Sequence, residues 1–127
     1  MIYGVGIDIL QAERVATVFR KYGEHFVRRI LMPEELELFS GYKQPERFLA
    51  MRFAGKEAVV KAMGTGFANG MWVRDAGVVP NRYGRPGIIF SERGRRKCEE
   101  LGIGDGHLTL TDEAGLVVAV AIMMKAA

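Results

Sequence analysis

The hydrophobic and polar positions of this chain repeat with two periods, one typical of strands and the other of helices. Residues 1–9 alternate as a strand: the odd positions are bulky, while Gly4, Gly6 and Asp8 share the opposite face. Glycines inside a strand often mark the close approach of another element to the backbone. Helices are predicted over residues 11–22, around 28–29, and over 33–39, 45–63 and 92–101, the last capped by Ser91, and strands over 72–79, 87–90, 107–111 and 116–124.

The helix over residues 45–63 is the longest predicted element. Proline at position 45 suits a first helical turn, and Gly64 suits the left-handed residue that follows a helix. Ala54, Ala58 and Ala62 form a stripe of small side chains, against which another element can pack closely. The predicted fold is α+β, with a small antiparallel sheet, this long helix and short helices packed on it, in one domain over residues 1–127.

The last predicted strand, 116–124, is apolar at positions that face both ways. A strand that needs cover on both faces, in so small a chain, indicates a subunit interface and therefore an oligomer. The composition is that of an ordinary globular protein, with 49% hydrophobic and 26% charged residues. Because the net charge is only +3, no nucleic-acid partner is expected.

The compartment follows from what the sequence contains and lacks. Cys98 is the only cysteine, which excludes an internal disulfide framework and fits a reducing compartment. No apolar run is long enough to cross a membrane, and the first residues lack the basic start of a signal peptide. We therefore expect a cytoplasmic protein that does not associate with membranes.

Candidate chemistry is concentrated near the end of the long helix. Glu57 and Lys61 are four residues apart and share a face, and the Gly64-Thr65-Gly66 loop offers backbone N–H groups that could hold a phosphate. Since a helix C-terminus repels phosphate, a cation is needed close by, and Lys61 can supply it. A carboxylate beside a phosphate favours Mg²⁺, which binds acidic side chains and phosphate oxygens together.

Each of these residues also has an ordinary structural interpretation. Glu57 and Lys61 could form a solvated ion pair, and Asp8 could cap the helix that follows the first strand. Alternatively, Asp8 is a second carboxylate for the metal. His107 opens a strand, where histidine is more often structural than catalytic.

Basic residues cluster around the first predicted helix. Arg14 and Lys21, with Arg20, Arg28 and Arg29, face only Glu13 and Glu24 in the same region. A solvated helix face explains such a cluster, and so does a surface that attracts an acidic partner.

The pattern Gly6-Ile7-Asp8, followed by the run from Arg52 to Gly66, resembles holo-[acyl-carrier-protein] synthase, the short bacterial class of 4'-phosphopantetheinyl transferases. The run contains Lys56-Glu57-Ala58, Lys61-Ala62 and Gly64-Thr65-Gly66. The resemblance extends over the chain and includes the segments 28–31, 84–86 and 107–113.

This resemblance implies transfer of the phosphopantetheine arm of coenzyme A to a serine of an apo acyl carrier protein, with adenosine 3',5'-bisphosphate as the product, in fatty acid biosynthesis. It implies that Asp8 and Glu57 bind Mg²⁺ and act in catalysis with Lys61, which lies at the phosphates. It also implies a homotrimer with active sites at subunit interfaces. The implied coenzyme contacts are Arg52, Lys61, Gly64, Thr65, Gly66, His107 and Thr109, and the implied carrier contacts are Arg14, Lys21 and Arg28. Some relatives have histidine where this chain has Asp112.

Several functional alternatives stay open at the level of sequence. The base for the serine is either Glu57 or a water held by the metal near Asp8. A hydrolase that uses the same metal would release free phosphopantetheine. A basic oligomeric module that docks acidic proteins would need no catalysis.

Overall fold

The computed structural model describes all residues, 1–127, and contains both helices and strands. The helices are α1 (Ala12–Tyr22), α2 (Glu24–Ile30), α3 (Pro33–Phe39), α4 (Pro45–Met63) and α5 (Glu92–Leu101). The strands are β1 (Ile2–Gln11), β2 (Ala76–Pro80), β3 (Pro86–Phe90), β4 (Ile103–Glu113) and β5 (Leu116–Lys125). None of the helices combines the length and the apolar character needed to cross a bilayer.

The strands form two antiparallel sheets, and the larger one holds the last strand at its centre. The order is β1-β5-β4 in the first sheet and β2-β3 in the second. Residues Val117, Ala119, Ala121 and Met123 of β5 are buried, whereas the alternate residues of β5 are only partly covered. The predicted α+β fold is confirmed, with two small sheets in place of one.

The long helix packs on this sheet through direct backbone contact with β1. A Cβ atom added to Gly6 would lie 2.1 Å from the carbonyl oxygen of Ala58, and one added to Gly4 would lie 2.1 Å from that of Ala62. The glycines of the first strand therefore fit against the small-residue stripe of α4. The sequence predicted a close approach of another element to the glycines of β1 and, separately, to the alanine stripe of α4. Both predictions describe this one contact between β1 and α4.

Several element boundaries differ from the sequence prediction; for example, β4 begins at Ile103 and not at His107. Residues Val73–Asp75 form a 3₁₀ turn, so β2 begins at Ala76 and not at Trp72. The reason is the Asp75 carboxylate, which accepts a hydrogen bond from the Trp72 backbone N–H at 2.8 Å. In the β4–β5 hairpin, the strands continue to a tight turn in which Ala114 and Gly115 both have positive φ angles, 53° and 79°.

A buried ion pair joins the first half of the chain to the second sheet. Lys56 Nζ lies 2.6 Å from Glu35 Oε1 and 2.6 Å from the Ala76 carbonyl oxygen. Glu35 also accepts hydrogen bonds from the backbone N–H groups of Met32 and Val78, at 2.9 and 2.8 Å. Both side chains are 0% exposed, so α3, α4 and β2 are held together by one dry polar network.

Replacing Gly6 with alanine is expected to destabilise the fold strongly. The added methyl group meets backbone atoms of α4, which cannot rotate away, so the helix and the strand must separate. We expect a loss of about 3 kcal/mol or more in the free energy of unfolding, measured by chemical denaturation.

The matched control for this change is Gly41→Ala. Nothing lies within 4 Å of a Cβ at Gly41, so its stability should stay close to that of the unchanged protein. Equal effects of the two substitutions would show that the contact between β1 and α4 is not as tight as described.

Candidate active site

Asp8 and Glu57, called the acid pair below, line the same cleft although they come from different elements. Asp8 is near the end of β1, and Glu57 lies in the second half of α4. The cleft has a volume of about 410 Å³. Its other lining residues are Ile9, Leu10, Arg14, Val15, Val18, Phe26 and Phe53. The close packing of β1 on α4 is what places the two carboxylates in one cavity.

Lys61 contacts Asp8 and not its helical neighbour Glu57. Its ammonium group donates to Asp8 Oδ1 and to the carbonyl oxygen of Ile7, both at 3.1 Å. The prediction of an ion pair between Glu57 and Lys61 is therefore wrong, because the end of β1 provides Lys61 with a carboxylate and a carbonyl oxygen as acceptors. The Lys61 side chain remains 49% exposed, so its charge can still reach a bound molecule.

Asp8 also does not cap α1. The residue that precedes this helix is Gln11, and it makes no side-chain capping bond. The Asp8 side chain is 12% exposed and contacts Lys61. The alternative of a capping aspartate is therefore wrong.

The electrostatics of the acid pair favour a bound cation. Burial, first, and the nearby Asp8 carboxylate, second, raise the pKa of Glu57, while Lys61 lowers it by less. The lysine therefore leaves part of the repulsion between the two acids uncompensated. No cluster of three or more His, Cys, Asp or Glu side chains exists in the protein, so a metal that needs a full set of protein ligands does not fit. Mg²⁺ fits, since it is commonly held by one or two carboxylates, with water and phosphate oxygens as the remaining ligands.

The glycine loop after α4 has no free N–H groups to offer. The N–H of Gly64 donates to the Lys61 carbonyl oxygen, and those of Thr65 and Gly66 both donate to the Val60 carbonyl oxygen. These bonds cap the end of the helix, and Gly64 has the left-handed conformation predicted for it. The expectation of a phosphate cradle made from bare backbone N–H groups is wrong.

Arg52 lines a second cleft, separate from the acid pair. This cleft has a volume of about 380 Å³ and also contains Arg47, Gly84, Pro86 and Leu110. The Arg52 guanidinium lies 3.9 Å from the centroid of the Phe48 ring, and its buried Nε has no hydrogen-bond partner. Burial lowers the pKa of Arg52, and the attraction of the Glu35 carboxylate opposes this effect only in part.

Asp112 holds the other arginine of this second cleft. Its carboxylate accepts two hydrogen bonds from Arg47, at 2.9 and 3.0 Å, and this contact lowers the pKa of Asp112. Arg47 is therefore neutralised, whereas Arg52 is not.

His107 and Thr109 lie on the face of the larger sheet that points away from α4. The strand register places His107 beside Ile122 and Thr109 beside Val120, and these in turn pair with Val5 and Ile7. Asp8 faces α4 on the other side of the same sheet. Within one chain, the structure does not bring His107, Thr109 or Arg52 to the acid pair.

The basic residues around α1 differ in their availability. Arg14 lines the cleft of the acid pair, and Lys21 and Arg28 are exposed nearby. Arg20, however, is paired with Glu13 and also with Glu46 of α4, the latter at 2.9 Å. Sequence reasoning had counted Arg20 among the free cations, because Glu46 is distant along the chain.

The buried Lys56–Glu35 pair is the main feature that sequence reasoning missed. Both residues have charged neighbours in the sequence, which made them look like ordinary surface positions. A signal exists only for Lys56: in residues 53–60 of α4, Lys56 and Glu57 are the only charged residues, and the others are small or apolar.

The family model described as the 4'-phosphopantetheinyl transferase superfamily matches residues 4–121 of this chain. The chain belongs to this superfamily. The resemblance inferred from the sequence is thus confirmed, and with it the prediction of an enzyme family.

Relatives within the phosphopantetheinyl transferase superfamily match the chain almost from end to end. A holo-[acyl-carrier-protein] synthase of Vibrio cholerae is 42% identical over 125 residues, which is 98% of this chain and 99% of that protein. The crystal structure of the Neisseria meningitidis holo-[acyl-carrier-protein] synthase superimposes with a TM-score of 0.93 at 38% identity, covering 98% of this chain and 100% of that one. A Bacillus anthracis holo-(acyl-carrier-protein) synthase, solved in complex with CoA (3',5'-ADP), gives a TM-score of 0.81 at 30% identity and covers 100% and 99%.

Replacing Glu57 with glutamine is expected to stabilise the metal-free fold at neutral pH. A carboxyl group whose folded pKa is raised above its ordinary value of 4.5 costs nothing while protonated, and destabilises the fold as pH rises through the folded pKa. The stability gain of Glu57→Gln should therefore be largest at neutral pH and should vanish at acid pH. Chemical denaturation of both proteins over this pH range, with a chelator present, measures the difference.

Added Mg²⁺ provides the second half of this test. It should stabilise the unchanged protein by mass action and stabilise Glu57→Gln much less, because one ligand is lost. A gain for Glu57→Gln that does not depend on pH would argue against repulsion between the two acids.

Proposed function

We propose that this protein transfers the 4'-phosphopantetheine group of coenzyme A to a serine of an apo acyl carrier protein, as a holo-[acyl-carrier-protein] synthase. The products are the holo carrier protein and adenosine 3',5'-bisphosphate. The observation that carries the proposal is the acid pair in one cleft, with Lys61 beside Asp8. Residues 1–127 act as one catalytic domain, in the cytoplasm, at the step that prepares the carrier for fatty acid biosynthesis.

The comparisons support this choice of substrate. The Vibrio cholerae relative bears the name of this activity, and the Bacillus anthracis relative has been solved with CoA (3',5'-ADP). The Helicobacter pylori holo-[acyl-carrier-protein] synthase, 25% identical with a TM-score of 0.81, has been solved in complex with coenzyme A and covers 94% of this chain and 98% of that one. All three matches extend over nearly the whole of this chain.

Asp8 and Glu57 would hold Mg²⁺ through their carboxylates, leaving its other positions for water and phosphate oxygens. The bound ion would neutralise the charge that builds up on the departing phosphate. Lys61 belongs to the same charge system, since its ammonium group already lies against Asp8. A bound pyrophosphate would give Lys61 a second anion and draw it toward the substrate.

Glu57 is the side chain best suited to accept the proton of the serine hydroxyl. Its carboxylate lines the cleft of the acid pair, whereas Asp8 is already held by the Lys61 ammonium group. The serine oxygen forms a bond to the phosphorus that carries the pantetheine arm, and the bond from that phosphorus to the adenosine 3',5'-bisphosphate breaks. The proton goes to Glu57, and the negative charge leaves with the bisphosphate.

The coenzyme site is completed by a second copy of the chain. The predicted contacts Arg52, His107 and Thr109 lie away from the acid pair of their own chain, so another subunit must bring them to it. The face of the larger sheet that points away from α4, called the outer face below, provides the interface. Its apolar residues are Val5, Ile7 and Ile9 of β1 and Val118, Val120 and Ile122 of β5. A homotrimer assembled through this face would place three active sites at subunit boundaries.

The loop residues Gly64, Thr65 and Gly66 contribute to the coenzyme site by shape. Their N–H groups are occupied, so the absence of bulky side chains, and not hydrogen bonding, would let the pyrophosphate approach Lys61. The acidic carrier protein docks on Arg14, Lys21 and Arg28, of which Arg14 lies in the same cleft as the acid pair.

Substitution of either acid should abolish transfer while the fold is kept. We expect Asp8→Asn and Glu57→Gln each to lower the rate by about 10²-fold or more, since charge stabilisation and proton transfer are lost together. The assay mixes the protein with coenzyme A, Mg²⁺ and an apo carrier protein, and follows the added arm on the carrier by mass spectrometry.

The control for this assay is Asp105→Asn, which removes an exposed carboxylate outside both clefts and should leave the rate unchanged. Free phosphopantetheine in place of modified carrier would identify a hydrolase instead. A Glu57→Gln variant with near-normal transfer would refute the site assignment.

A charge on the outer face should dissociate the assembly. Ile7 is 61% exposed in the single chain, so Ile7→Glu hardly affects the monomer but places charges inside the proposed interface. We expect a shift from trimer to monomer in analytical ultracentrifugation, together with loss of transfer. Leu38→Glu, at an exposed apolar position on α3, is the control and should remain trimeric. If Ile7→Glu also remains trimeric, the outer face is not the interface.

A further inference from the structure

A basic groove beside the cleft of the acid pair takes no part in the proposed chemistry, and it shares only Arg28 with the carrier contacts proposed above. It runs between α2, the 3₁₀ turn and the start of α5, and has a volume of about 600 Å³. We call it the Trp72 groove. Its principal residues are Phe26, Arg28, Arg29, Trp72, Arg74 and Arg93.

Trp72 is the unusual member of this groove because it is 63% exposed. A local network nevertheless fixes it in place. The Arg93 guanidinium lies 5.6 Å from the centroid of its ring, and Arg93 is itself held by Asp75, at 2.6 Å. The backbone N–H of Trp72 donates to the same Asp75 carboxylate. A large aromatic side chain that is exposed and yet preorganised, beside arginines, has the composition of an interface anchor.

The charge of the groove points to an acidic partner. Asp75 neutralises Arg93, and Glu24 lies 3.5 Å from Arg28, but Arg29 and Arg74 have no carboxylate partner. The groove therefore keeps a net positive charge around an apolar ring. Only Trp72 and Phe26 supply aromatic surface, too few for the succession of stacked bases that a single-strand nucleic-acid site requires.

The groove is continuous with the cleft of the acid pair. Phe26 lines both cavities, and it also lines a small hollow between them with Val18, Tyr22 and Arg29. A protein whose serine enters at the acid pair can therefore extend over Phe26 without crossing a barrier. Its neighbouring segment would reach Trp72.

We propose that the Trp72 groove is a second docking surface for the acidic carrier protein, taking a segment that presents a carboxylate to Arg74 and Arg29 and an apolar side chain to Trp72. This inference rests on the proposed function, since it assumes that a carrier protein brings its serine to the acid pair. It adds a determinant of carrier selectivity that lies outside the catalytic cleft.

Trp72 is the only tryptophan of the chain, so its fluorescence reports on this groove directly. The first experiment titrates the full-length protein with an acidic, tryptophan-free apo carrier protein in the absence of coenzyme A. We expect a blue shift of the emission and reduced quenching by acrylamide, both weakened by added salt. Coenzyme A alone should leave the emission unchanged.

The second experiment measures transfer kinetics. Trp72→Ala should raise the KM for the carrier about tenfold and leave the KM for coenzyme A unchanged, whereas Trp72→Phe should retain most of the affinity. Arg74→Glu should raise the carrier KM more at low salt than at high salt. Arg95→Glu makes the same charge change on an exposed part of α5 outside the groove, and should have no such effect.

The outcomes separate this inference from the proposed function. If the unchanged protein modifies the carrier but the Trp72 emission and the KM of Trp72→Ala do not change, the groove is not a docking surface and the proposed function stands. If the unchanged protein modifies no carrier, the proposed function fails and this inference fails with it. A stronger emission change with a single-stranded oligonucleotide than with the carrier would also overturn it.

Discussion

The contact between the backbones of β1 and α4 is the constraint on which the rest of the structure depends. Gly4 and Gly6 allow the strand to lie directly against Ala62 and Ala58, at a distance that no side chain on the strand would permit. Asp8 is two residues after Gly6, and Glu57 is next to Ala58. The contact between Gly6 and Ala58 therefore fixes the position of Asp8 relative to Glu57. The positions of the two carboxylates in the candidate site therefore depend on the absence of side chains at Gly4 and Gly6.

Much of this arrangement could be predicted from the sequence because it is encoded locally. The end of α4 at Gly64, the cap of α5 at Ser91 and the small-residue stripe each depend on a few neighbouring residues and on well-known backbone preferences. The contacts of charged side chains could not be predicted in this way. Lys61 has Glu57 one turn away but pairs with Asp8, and Arg20 pairs with Glu46, because those partners meet only after the chain has folded.

The ion pair between Lys56 and Glu35 shows the same limit more strongly. Two adjacent residues of α4 carry opposite charges, yet Lys56 is fully buried while Glu57 faces the cleft. Adjacent positions on one helix therefore place one side chain in a dry structural network and the next in the cleft of the acid pair. Because burying an unpaired charge is costly, the network fixes the rotation of α4: any turn of this helix that exposed Lys56 would leave the buried Glu35 carboxylate without its counter-charge and the Ala76 carbonyl oxygen without its donor.

The distribution of the predicted site residues over one chain carries a final consequence. The acid pair is on the α4 side of the larger sheet, whereas His107 and Thr109 are on the outer face, and the sheet itself lies between them. No movement of side chains can bring such groups together within one subunit. The same outer face carries apolar residues on the neighbouring strands β1 and β5. A contiguous apolar surface of this kind is typical of a protein interface. In the proposed assembly, subunit association and catalysis therefore depend on one surface, and the stability of that assembly would set the protein concentration needed for transfer.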